Sequence, residues 1–129
     1  MKQEYVDIDG AWGFLFIYDF DLLDVDEMAA IMDSFGLSRN NIRKSMRILF
    51  GENTGMTISR DDLRMSVIFV GEATSVEQFA DTIAHEIDHI QSAICEYYDV
   101  PYGSEDAAWT QGYIARQIMS AIKDDICLC

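Results

Sequence analysis

Residues 75–98 read SVEQFADTIAHEIDHIQSAICEYY. The stretch opens on a serine suited to cap a helix, and Gln78, three residues on, is its capping-box partner. At about 100° per residue, Phe79, Ile83, Ile87, Ile90 and Ile94 fall on one narrow stripe. A helix with one apolar stripe needs a core to bury it, and here a sheet is the expected support. His85 and His89 fall on nearly the opposite side, one above the other, with Cβ atoms roughly 5–6 Å apart. Glu86 sits between the histidine face and the stripe. His85 and His89 are the only histidines of the chain.

Working outward, the flanking residues supply the sheet and further helices. Trp12 to Tyr18 (WGFLFIY) is aromatic-rich and reads as a strand. Asp24 or Asp26 can cap a helix that runs to about Phe35, where Gly36 ends it. Ser38 starts a second helix, SRNNIRKSMRILF, stopped by Gly51. This helix holds Arg39, Arg43, Lys44 and Arg47, four of the nine basic residues, and reads as a solvated face. GMTIS and LRMSVIFVG read as two strands of a hairpin. SVIFV is almost wholly apolar, as a strand buried on both faces would be. After residue 98, Pro101 and Gly103 break the chain, and Ser104 caps a last helix to about Asp124. The order is strand, two helices, hairpin, two helices. The expected fold class is α+β, a single domain over residues 1–129 with a small mixed or antiparallel sheet packed against helices.

Bulk properties narrow the function. At 129 residues, half of them hydrophobic, the chain suits one packed core. It carries 23 acidic against 9 basic residues, a formal net charge of −14. That balance argues against nucleic acid and against anionic membranes as partners, since both need clustered cations. The start, MKQEYVDIDG, has neither the basic nor the apolar region of a signal peptide. The three cysteines, Cys95, Cys127 and Cys129, then read as reduced thiols of a cytoplasmic protein. Two thiols in the terminal CLC make an incomplete metal site.

The histidine helix carries the chemistry. Two imidazoles one turn apart can grip one tetrahedral zinc ion. Zinc lowers the pKa of a bound water towards 7, and an adjacent glutamate can take its proton. The plainer alternative is a solvent-facing helix side with two polar histidines. Against it stand the placement in a strong helix and the use of every histidine. A third ligand is also within plausible reach. Glu96 is about 10 Å further along the axis than His89, too far for the same ion. Cys95 points away from the histidines unless the helix turns. Glu105, opening the last helix, is the expected ligand if that helix folds back across the histidine face, with Ala108 and Gly112 allowing close approach. Asp106 is the fallback.

HEIDH followed by EDAAW resembles the gluzincin arrangement of zinc metallopeptidases, HExxH on one helix and a glutamate ligand on the next. It is also similar to small HExxH proteins of phages and bacterial mobile elements. The resemblance covers roughly residues 66–123. It implies His85, His89 and Glu105 as metal ligands, Glu86 as general base, zinc as cofactor and a peptide or protein as substrate. It also implies a zincin-like fold, with a sheet edge above the metal in the place of SVIFVG. Asp88 departs from the uncharged residue common between the glutamate and the second histidine. An oxyanion-stabilising group would come from Tyr97, Tyr98, Tyr102, Tyr113 or Arg116. The expected function is therefore a zinc-dependent hydrolase acting on peptides. Two other readings use the same residues: a non-catalytic, metal-stabilised structural or assembly protein, and a metal-free interaction module.

Overall fold

Alternation along the strands sets the architecture. In the second strand, Phe14, Phe16 and Tyr18 join one apolar cluster, whereas Ile17 joins another with its neighbour Leu15. Successive side chains of a strand point to opposite faces, so this strand is covered on both sides. The computed structural model describes residues 2–18, 24–50, 55–71 and 75–124. Its elements are β1 (Lys2–Ile8), β2 (Trp12–Tyr18), α1 (Val25–Ser34), α2 (Arg39–Leu49), β3 (Gly55–Arg60), β4 (Met65–Val70), α3 (Val76–Tyr98) and α4 (Glu105–Ile122). The strands form one mixed sheet in the order β1-β2-β4-β3. β1 and β2 are antiparallel, β2 and β4 parallel, and β3 and β4 antiparallel.

Helices cover both faces of the sheet. On one face, Phe14, Phe16, Ile68 and Val70 pack with Phe79, Ile83, Ile87, Ile90 and Ile94 of α3 and with Ile114, Ile118 and Ile122 of α4. On the other, Ile17, Val67 and Phe69 pack with Met28 and Met32 of α1 and with Leu49 of α2. The α3 stripe read from the sequence is thus the buried one. Each helix begins on a side-chain cap: Asp24 accepts from Glu27 N, Ser38 from Asn41 N, Ser75 from Gln78 N and Ser104 from Ala107 N. No helix among the described residues is long and apolar enough to cross a membrane.

Three features differ from the sequence expectations. β1 was not anticipated, because KQEYVDI is half-covered at best and charged along its length; it is an edge strand held by pairing with β2. β4, which contains SVIFV, is not a sheet edge. It is flanked by β2 and β3, and β3 is the edge on that side. α4 does not lie across the histidine face. Its Ala107, Ile114, Ile118 and Ile122 are buried, so it settles on the sheet beside α3, and Gln91 Nε2 donates to Ala107 O at 2.8 Å. Ala108 and Gly112 are left exposed, and a Cβ on Gly112 would meet nothing within 4 Å. Gly51, Cys127 and Cys129 lie outside the described residues.

Gly36 ends α1 with φ +94, and a Cβ there would stand 2.2 Å from Arg60 Nη1. That same nitrogen donates to Phe35 O at 2.8 Å, tying the end of α1 to β3. Gly36→Ala therefore meets both a left-handed backbone and a displaced guanidinium. The expected cost is about 1–2 kcal/mol from the backbone alone. A thermal melt should show Tm lower by roughly 3–8 °C; an unchanged Tm would mean that this junction adjusts freely.

Candidate metal centre

α3 delivers three functional groups to two environments. His85 and His89 are exposed, while Glu86 is buried at 4% exposure. The split follows from helix geometry, because Glu86 is turned about 100° from His85, towards the sheet. The two Nε2 atoms are 3.1 Å apart and the ring centroids 4.8 Å. Two nitrogens bound to one tetrahedral zinc at about 2.0–2.1 Å stand roughly 3.3–3.4 Å apart. The imidazoles thus already converge at a spacing suited to one ion. The ligand atoms of His85, Glu86 and His89 all lie within 4.8 Å of one another. The three have the donor set to hold a metal ion.

The buried carboxylate is held by the edge strand. Thr57 Oγ1 donates to Glu86 Oε2 at 2.5 Å and stands 3.3 Å from Glu86 O. A carboxylate out of water needs such a partner, since burying it unpaired is costly. Gly55 lets β3 come this close: a Cβ there would stand 2.7 Å from Thr82 Cγ2 and 3.1 Å from Glu86 Cγ. Together β3, α3 and the end of α2 enclose an open depression of about 450 Å³. It is lined by Ile48, Gly55, Met56, Thr57, Gln78, Asp81, Thr82, His85, Glu86 and His89.

Of the residues singled out from the sequence, His85, Glu86 and His89 come together. Glu105 stands outside this group. It is exposed on the first turn of α4 and lines a separate hollow of about 330 Å³ with Ala108, Trp109, Gly112, Tyr113 and Arg116. Asp106 is exposed beside it. Cys95 is buried, and burial pushes its thiol above the usual range. None of the five oxyanion candidates lines the depression. Tyr97 packs edge-on against Trp12, with ring centroids 5.7 Å apart. The Tyr98 hydroxyl donates to Ala11 O. The Tyr102 hydroxyl donates to Asp88, the neighbour of His89, and the Asp88 carboxylate raises the phenol above its ordinary value, so Tyr102 stays a donor.

Three residues that line the depression, Gly55, Thr57 and Asp81, are not marked by any motif in the sequence. Asp81 is one turn before His85 on the same helix row, a spacing the sequence does show. Alternation in GMTIS likewise puts Gly55, Thr57 and Ser59 on one face, a polar row in an otherwise apolar hairpin. Which helix would meet that row depends on long-range packing.

Comparison with protein-family profiles, with curated proteins and with solved structures returns no match for this chain. The site stands on its own geometry.

Proposed function

We propose that this chain is a zinc-dependent hydrolase of peptides, built on a zincin-like plan. The observation that carries the proposal is the convergence of the His85 and His89 Nε2 atoms, 3.1 Å apart, in an open depression with a buried carboxylate beside them. A bound zinc ion would supply Lewis acidity to a water and to the substrate carbonyl. His85 and His89 would hold the ion. Glu86 accepts the proton of the attacking water and passes it to the leaving amine. Thr57 fixes the Glu86 side chain through Oε2 and so sets the direction in which its other oxygen is presented.

The edge strand supports a peptide as the substrate. Gly55, Met56 and Thr57 of β3 line the depression, and β3 has a partner on one side only. An extended peptide can add to such an edge through main-chain hydrogen bonds, with its carbonyls led past the histidines. The exposure of both histidines favours this reading over a closed structural metal site, which leaves no open position.

The test is elemental analysis of the full chain purified without a histidine tag. Near one zinc per chain is expected, removed by chelator and restored by zinc. No zinc after reconstitution would return HEIDH to a polar helix face and end the hydrolase reading.

A further inference from the structure

The charge of this chain is distributed unevenly. The eleven residues of α2 carry four of the nine basic residues of the chain and none of its 23 acidic ones. Arg39, Arg43, Lys44 and Arg47 are all exposed, and none has an ion-pair partner among the described residues. The helix axis gives them a direction. Lys44 and Ile48 are one turn apart on the same row, with Arg47 beside them. Ile48 is 51% exposed and lines the depression that holds His85, Glu86 and His89. The cationic ridge therefore runs up to the rim of the candidate metal centre.

We propose that α2 is a substrate-docking ridge that selects peptides with an acidic segment to one side of the bond placed at His85 and His89. This rests on the hydrolase reading and adds a substrate class to it. Screening makes the local charge decisive. At physiological salt the Debye length is about 8 Å, so a docked segment responds to α2 more than to the net charge of the chain. Asp81 and Glu86 line the depression itself and disfavour an acidic residue there. The acidic segment therefore lies beyond the cleft, along Lys44 and Arg47, while a neutral stretch crosses the metal. The apolar surface of Ile48 marks the passage between the two zones.

The experiment uses the full chain with zinc added, carrying Glu86→Gln so that peptides are not cut. Fluorescein-labelled peptides are titrated and followed by anisotropy. One carries a run of glutamates at one end, and its twin carries lysines there. The glutamate peptide should bind more tightly than the lysine peptide, and more weakly as salt is raised. Lys44→Glu combined with Arg47→Glu should weaken it about tenfold, since two attractions become repulsions. Lys44→Gln with Arg47→Gln should give a smaller loss in the same direction. Equal binding of the two peptides overturns the proposal, and so does glutamate-peptide binding that ignores both double variants. Tighter α2-dependent binding of a single-stranded oligonucleotide would also overturn it, in favour of nucleic acid. Zinc is measured in the same samples. Loss of zinc binding with α2-dependent peptide binding intact would sink the hydrolase reading and keep the ridge.

Discussion

Glu86→Gln is expected to keep its zinc and lose turnover of a fluorogenic peptide library by about 10²–10⁴-fold, the usual contribution of a positioned general base. The substitution is isosteric. Its amide carbonyl can still accept the Thr57 hydroxyl bond that now reaches Glu86 Oε2. It leaves His85 and His89 untouched, so metal content and melting temperature are the internal controls. An amide cannot take up the proton of an attacking water at neutral pH. A Glu86→Gln protein that hydrolyses peptides at the original rate would remove Glu86 from proton transfer and require another base, for which Asp81, the other carboxylate lining the depression, is the candidate.

His89→Ala has a comparably large expected effect of a different kind. Zinc should fall from near one per chain to near zero, because one of the two imidazoles is lost from the only cluster of three potential ligands among the described residues. His89 is exposed, so the metal-free stability should move by no more than about 0.5 kcal/mol, as for other surface substitutions. A protein that has lost its zinc and kept its metal-free Tm separates ligand loss from unfolding. Full zinc occupancy in His89→Ala would mean that the metal sits elsewhere. Glu105→Ala is the companion measurement. Loss of zinc there would bring the first turn of α4 into the site as third ligand. Retention would leave Asp81, the other carboxylate lining the depression, as the candidate for that ligand.

Local signals were the legible ones. Asp24, Ser38, Ser75 and Ser104 cap the four helices. These caps act within one turn of chain and need no tertiary context. The same holds for the α3 stripe and for the opposed placement of His85, because both follow from helical rotation. What stayed hidden depends on partners distant in sequence. β1 has too few apolar residues to announce itself and exists because β2 offers it an edge. The interior place of β4 comes from parallel pairing with β2, which no local pattern encodes. The position of α4 turned on which face outcompeted the other. Ile114, Ile118 and Ile122 bury more apolar surface on the sheet than Ala108 and Gly112 could on the histidine face, so the isoleucines decide. The contact of Thr57 with Glu86 is likewise a product of β3 meeting α3, readable only once both are in place.

The parallel pairing of β2 with β4 also bears on modularity. Residues from Gly13 to Tyr18 lie against Met65 to Val70, with α1, α2 and β3 strung between them in the chain. The half that carries HEIDH is therefore not a portable cassette. Cut away from β2, it would bare one flank of β4 and the apolar faces of Ile68 and Val70, an aggregation-prone edge rather than a smaller folded unit. Assembly has to wait for a long loop to close before the two central strands meet, which slows folding relative to a chain of local hairpins. The helix that carries the histidines has its full core only once Phe14 and Phe16 of β2 are in place against it.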